Sequence, residues 1–173
     1  MSTVVLVKTE TGVEIAADRR MVWGSTPVDD FSKLIRIQEN FNIGVVGDGG
    51  LVSYLKENKQ IYDIETFYVG GPRFLDLVYE CTLSLFKQYN DACKTEQFCS
   101  IMYAAVSGAG YICQSGIHLP LKNFLAIGSG ADYALGALDR GADASDAVET
   151  AIRFDVSSGG KVESYFIEQD MHP

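Results

Sequence analysis

The sequence predicts an α+β fold with sheets in the middle and pairs of helices outside. Three observations predict it. β-branched apolar runs open the chain, apolar residues at spacings of three and four come in two paired stretches, and further apolar runs lie between and after those stretches. Sheets buried on both faces need helices to cover them, and this order supplies them. No linker, repeat or low-complexity segment interrupts it, so a single domain over residues 1–173 is expected.

Thr3 to Lys8 is a β-branched apolar run, and Gly12 to Asp18 follows after the polar turn Thr9-Glu10-Thr11, so the two read as a hairpin. Beyond a Gly-, Ser- and Pro-containing stretch from Trp23 to Asp30, Lys33 to Gln38 and Phe41 to Val46 make a second strand pair, ending in Gly47-Asp48-Gly49-Gly50. Leu51, Tyr54, Leu55 and Asn58 set a helical stripe expected to run to Tyr68. Leu75, Val78, Leu83, Phe86 and Tyr89 set another from Arg73 to about Cys93, with a break at Gly70-Gly71-Pro72 between them. Ser100 to Val106, Tyr111 to Gln114 and Phe124 to Ile127 read as strands, Ser129 to Asp139 and Ala144 to Phe154 as helices, and Lys161 to Glu168 as the last strand.

Composition narrows the function classes. With 14 Lys and Arg against 23 Asp and Glu, the net charge is −9, which disfavours nucleic-acid binding. The 173 residues suffice to bury roughly 70% of the unfolded surface without a disulfide or metal staple. The longest uncharged stretch, Phe98 to Leu121, carries Ser, Gln, Gly and His and reads as two short strands with a turn, so no membrane span is expected. Met1-Ser2-Thr3 leads directly into Val4-Val5-Leu6-Val7 with no basic region or small-residue cleavage site, and a cytoplasmic location is the expectation. Cys81, Cys93, Cys99 and Cys113 match no zinc-ligand or CxxC spacing and read as reduced thiols in a core.

The chemistry is reached by elimination. Only His118 and His172 are present, and His118 lies in a Gly-Ile-His-Leu-Pro loop with no GxSxG nucleophile elbow nearby, so a histidine triad is disfavoured. Gly47-Asp48-Gly49-Gly50 lacks both the GxGxxG pattern and a Walker lysine, but its backbone N–H groups could serve an oxyanion. What remains needs no histidine. Removal of Met1, which a small second residue permits, would make Ser2 both hydroxyl nucleophile and amine base. A free α-amino group titrates near ~7.7 to 8.0, close to working pH. Asp18 at the end of the second strand and Lys33 at the start of the third could bring a carboxylate and an ammonium to that amine.

Six segments carry a family resemblance: Thr3-Val-Val-Leu-Val, Gly12-Val-Glu-Ile-Ala-Ala-Asp18-Arg, Ser32-Lys33-Leu-Ile-Arg-Ile, Gly44-Val-Val-Gly47-Asp-Gly, Leu125-Ala-Ile-Gly-Ser129-Gly and Phe154-Asp155-Val-Ser-Ser158-Gly-Gly. In this order they resemble the signature segments of proteasome β-type subunits, most similar to bacterial HslV-type peptidases or other bacterial proteasome homologues. The resemblance implies a four-layer αββα sandwich of the N-terminal-nucleophile hydrolase type, assembled into homo-oligomeric stacked rings around an inner chamber. It places Ser2 where the family has its catalytic threonine, sixteen residues before Asp18. Lys33 matches the family lysine and Gly47 the oxyanion-hole N–H donor. Ser129, Asp155 and Ser158 match the residues that hold the terminal amine and relay its proton. Arg20, Met21, Gly47 and Gly49 would clamp a peptide as an added strand, and Val45 would line the pocket for the residue before the cut, a medium apolar one. Thr3 as nucleophile would shift the spacing to Asp18 by one, so Ser2 is preferred.

The resemblance further implies a peptide or unfolded-protein substrate fed by a partner ATPase. No cofactor is required, although it allows a cation near the turn Asp155 to Ser158. Serine keeps the hydroxyl and amine but loses the rotamer-restricting β-methyl of threonine. Other readings are a non-catalytic ring subunit or scaffold and a small-amide hydrolase on the same fold. Taken singly, Asp18–Lys33 reads as a strand-end salt bridge, Ser129 as a helix N-cap and Asp155 with Ser158 as a helix-ending turn. Their joint spacing favours the catalytic reading.

Overall fold

The computed structural model describes residues 2–62, 73–94 and 98–169. Among these residues eleven strands and four α-helices follow in chain order. β1 (Thr3–Lys8), β2 (Gly12–Asp18), β3 (Met21–Trp23), β4 (Thr26–Val28), β5 (Leu34–Gln38) and β6 (Phe41–Val46) precede α1 (Gly49–Glu57) and α2 (Phe74–Cys93). β7 (Ser100–Ala105), β8 (Gly108–Cys113), β9 (His118–Pro120) and β10 (Phe124–Gly128) lead to α3 (Ala131–Asp139), α4 (Ala144–Phe154) and β11 (Val162–Glu168).

Two antiparallel sheets face each other, one ordered β10-β1-β2-β11 and the other β5-β6-β7-β8-β9. The two-residue period of a strand sends alternate side chains to opposite faces, and β1 shows the result. Val4 and Leu6 join Val13, Ile15, Met102 and Ala104 between the sheets, whereas Val5 joins Ala16, Ala147, Val148 and Ala151 under α3 and α4. On the outer face of the five-stranded sheet, Ile43, Ile101 and Tyr103 pack with Leu51, Leu55, Val78 and Leu85 of α1 and α2. Three apolar layers thus separate four structural layers, αββα. The sheets approach closely at Gly44, where a side chain would meet Val4 Cγ1 at 2.6 Å.

The helices start where the side chains dictate. Asp48 caps α1 by accepting from the Gly50 N–H at 3.0 Å, and Asp143 caps α4 by accepting from the Asp146 N–H at 2.8 Å. α1 ends at Glu57 and a 3₁₀ turn follows over Lys59–Tyr62; the expected continuation to Tyr68 and the Gly70-Gly71-Pro72 break lie outside the described residues. In the Gly-, Ser- and Pro-containing stretch, β3 and β4 pair across Gly24 and Ser25, with Trp23 opposite Thr26. The four cysteines are free, but only Cys99 and Cys113 are buried, so the expected core placement holds for two of them. No helix among the described residues is long and apolar enough to cross a membrane.

Candidate active site

The register of the four-stranded sheet brings the start of β1 against the end of β2. Val4 pairs with Ala17 and Val162 pairs with Asp18, leaving the Asp18 carboxylate fully buried next to Thr3. A buried carboxylate needs donors on its lone pairs, and Asp18 is given them on both oxygens. Oδ1 accepts from the Thr3 N–H at 2.7 Å and from Lys33 Nζ at 2.7 Å. Oδ2 accepts from the Arg20 N–H at 3.0 Å and the Gly159 N–H at 2.9 Å. Lys33 Nζ also donates to the Asp18 carbonyl at 2.9 Å. Burial pushes the Lys33 ammonium below the ordinary lysine value, and Asp18 only partly restores it. A lysine so placed is a buried positive charge with a weakened hold on its proton.

A second chain of hydrogen bonds reaches the same spot from α4. The Asp155 carboxylate accepts from Ser129 Oγ at 2.6 Å, from Ser158 Oγ at 2.7 Å and from the Ser157 N–H at 3.1 Å. Burial opposes ionisation of Asp155, but these donors outweigh it and hold its carboxyl below the usual value. Because the Ser158 proton is committed to Asp155, the 2.7 Å contact between Thr3 and Ser158 runs with the Thr3 hydroxyl donating. Ser129 is not the cap of α3; Gly130 stands there, and the serine hydroxyl turns to Asp155 instead. Flanking glycines allow the approach. A side chain at Gly128 would collide with the Ser2 carbonyl, and one at Gly130 with the Thr3 hydroxyl.

Through Lys33 the first network borders a cavity of about 280 Å³, and the second is joined to the first by Thr3, the neighbour of the cavity-lining Ser2. Ser2, Lys33, Val45, Gly47 and Gly49 line it, together with Met21, Phe31 and Val52, and Trp23 stands at its edge with 76% of its surface exposed. Gly47 has φ +118°, a conformation that favours glycine, and a side chain there would strike the Phe98 carbonyl. Among the described residues the Gly47 N–H has no backbone acceptor. The arrangement therefore offers a hydroxyl, a buried ammonium and an unclaimed N–H around one space.

Of the residues expected from sequence, Ser2, Lys33, Gly47, Val45, Met21 and Gly49 share the cavity, and Asp18 lies beneath Lys33. Ser129, Asp155 and Ser158 form the second network, tied to the first through Thr3. Arg20 is placed differently from the other expected clamp residues. Its guanidinium bonds Asp29 at 2.6 and 3.0 Å and reaches the carbonyls of Val156 and Ser158, and its N–H is held by Asp18, so only its backbone carbonyl is left for a peptide. Those two carbonyls belong to the turn where a cation was allowed. In this structure they accept from Arg20, while the Asp155 oxygens accept from Ser129, Ser157 and Ser158. Sequence reasoning did not assign Thr3 its linking role, nor Phe31 and Trp23 to the cavity. For Trp23 a signal existed: Gly24-Ser25 between the strand-forming residues Val22-Trp23 and Thr26 is a two-residue hairpin loop.

A family model described as proteasome subunit matches residues 1–165. Among solved structures, BPH of Thiobacillus denitrificans superposes with a TM-score of 0.79 at 21% identity, covering 98% of this chain and 100% of its own. The same protein in complex with epoxomicin gives 0.75 at 20% identity, covering 97% and 99%. Eukaryotic HslV from Trypanosoma brucei gives 0.74 at 21% identity, covering 96% and 99%. At these identities the likeness is one of fold. No curated protein matches the chain's sequence.

Proposed function

The chain belongs to the proteasome subunit family, and on that premise we propose that it is an N-terminal-nucleophile endopeptidase subunit of a self-compartmentalising ring protease, with Ser2 as nucleophile after Met1 removal. One observation carries the choice of residue. Ser2 opens onto the cavity that Lys33 and Gly47 line, whereas Thr3 is fully buried with its N–H on Asp18 and its hydroxyl on Ser158.

In this reading the Ser2 hydroxyl attacks the peptide carbonyl while the freed α-amine takes its proton. The Gly47 N–H stabilises the oxyanion, and the amine returns the proton to the leaving nitrogen as the peptide bond breaks. Water, activated by the same amine, then cleaves the ester and restores Ser2. Lys33 keeps positive charge beside the nucleophile, Asp18 holds Lys33 in place, and Ser129, Asp155 and Ser158 orient the amine. No metal or cofactor enters these steps. The peptide lies as an added strand along Met21 and Gly49, with Arg20 anchoring the segment through its backbone. Met21, Phe31, Val45 and Val52 make the adjacent pocket apolar, which favours a medium aliphatic residue before the cut.

Assembly into rings in the cytoplasm, fed by an ATPase, is part of the same reading. Its surface support is apolar. Val156 is 90% exposed, and Phe154 stacks on Tyr133 beside the Ser129–Asp155 bond. Fluorogenic peptides that differ only in the residue before the cleaved bond, assayed on size-fractionated protein, test it. Turnover of the leucine or valine peptide in a ring-sized fraction is expected. Cleavage only of small amides by a monomer would move the chain to another class of hydrolase.

Gly47→Ala tests the oxyanion donor. Its methyl group has no room beside Phe98 and its φ is unfavourable, so the loop must shift. We expect kcat to fall about 10²-fold, as for loss of one oxyanion donor, with KM little changed. Equal kcat in a folded variant would remove Gly47 from the mechanism.

A further inference from the structure

We propose that Asp48 and Tyr89 are positioning residues for the Gly47 N–H, holding the loop between β6 and α1 in its oxyanion-binding shape. The proposal rests on the peptidase reading of the site and adds two residues to it. Asp48 follows Gly47 directly, and an ordinary helix cap explains only one of its contacts, Oδ1 to the Gly50 N–H at 3.0 Å. Its other oxygen, Oδ2, accepts from the Tyr89 hydroxyl of α2, 41 residues away. A capping aspartate has no need of that bond.

Three features fix this contact. The Tyr89 ring is buried, with Tyr54 of α1 packed edge-on at 5.5 Å, so the phenol has little freedom to move. Gly50 leaves space for the hydroxyl, because a side chain there would collide with it. Burial and the neighbouring Asp48 push the phenol far above its ordinary value, so it stays a donor at any working pH.

The backbone at Gly47 is packed too, against the Phe98 carbonyl, which a side chain there would strike. Cys99 also lies against Gly47, 3.3 Å from where a side chain would begin. The loop is thus packed at Gly47 against Phe98 and Cys99 and held, one residue on, by Asp48 through Tyr89. The peptide before Gly47 is left with its N–H beside the cavity. An oxyanion donor is useful only when it does not need to reorganise during the reaction, and this pair supplies that rigidity, Asp48 from the cavity wall and Tyr89 from behind it. Neither side chain needs to touch substrate.

The test is Tyr89→Phe, which removes one oxygen and keeps the ring. Loss of a whole oxyanion donor costs about 10²- to 10³-fold, so a loosened one is expected to cost about tenfold in kcat. KM should stay within about twofold, and affinity for a peptide boronate, which forms a tetrahedral adduct, should weaken in parallel with kcat. The pH at which activity rises should not move, because the terminal amine is untouched. Asp48→Asn keeps the Gly50 bond and can donate to the phenol, so it is expected to restore most of the rate that Asp48→Ala loses. A folded Tyr89→Phe protein with unchanged kcat and boronate affinity, or with raised KM alone, overturns the positioning role. A wild-type protein that neither cleaves peptide nor takes the boronate overturns the peptidase reading and this role with it.

Discussion

Ser2→Ala is expected to abolish peptide turnover, a loss on the order of 10⁴-fold or more, because the nucleophile and the atom that forms the ester are the same. The protein should fold as before. Ser2 lines the cavity, while the contacts that hold the segment come from Thr3. Ser2→Thr is the informative companion. It restores the β-methyl that narrows the choice of rotamer, so turnover should be kept and raised by a few-fold. If Ser2→Ala cleaves at the wild-type rate, Ser2 is not the nucleophile, and Thr3 must be reconsidered despite its burial.

Lys33→Ala is expected to damage both activity and stability. Asp18 is fully buried, and without Nζ its carboxylate keeps only the N–H groups of Thr3, Arg20 and Gly159. Removing one partner of a buried ion pair costs about 3 to 5 kcal/mol, and a denaturant titration should show a loss of that size. Turnover should fall about 10³-fold in protein that remains folded, through loss of the positive charge beside the nucleophile.

The same lysine sets a sign that can be read against pH. Burial depresses its proton affinity below the ordinary value of 10.5, so between the depressed value and 10.5 the unfolded chain binds the proton that the folded one has released. The Lys33 contribution to stability therefore rises with pH through that window and is lost as pH falls through the depressed value. Activity that needs the ammonium moves the other way, falling as pH rises through the same value. Its acid limb belongs to the terminal amine, which must be neutral. An alkaline limb that persists unchanged in Lys33→Arg would assign it to another group.

The layers were legible because periodicity is a local property. Val4, Val5 and Leu6 alternate between two cores, and Ala147, Val148 and Ala151 stack on one helical face, whatever the rest of the chain does. Asp18, Lys33, Ser129, Asp155 and Ser158 were legible from spacing within recognisable segments. Which atoms join them was not. The Thr3 link depends on β1 lying between β10 and β2, with Thr3 opposite Gly128, and no single segment encodes that. Tyr89 fits an apolar helical stripe equally well with or without a hydroxyl, and only the packing of α2 beside α1 gives the oxygen a partner. The partners of the Arg20 side chain were hidden for a related reason. Asp29 and the Val156 and Ser158 carbonyls that take up its charge converge on it only through folding.

The most direct measurement is the intact mass of the purified protein before and after exposure to epoxomicin, a peptide epoxyketone whose warhead takes up a hydroxyl and a free terminal amine together. The expected result is a chain that has lost Met1 and gains one adduct, with no adduct in Ser2→Ala. A chain that keeps Met1 and gains none, or a Ser2→Ala chain that is still labelled, would contradict the assignment of Ser2 as an N-terminal nucleophile.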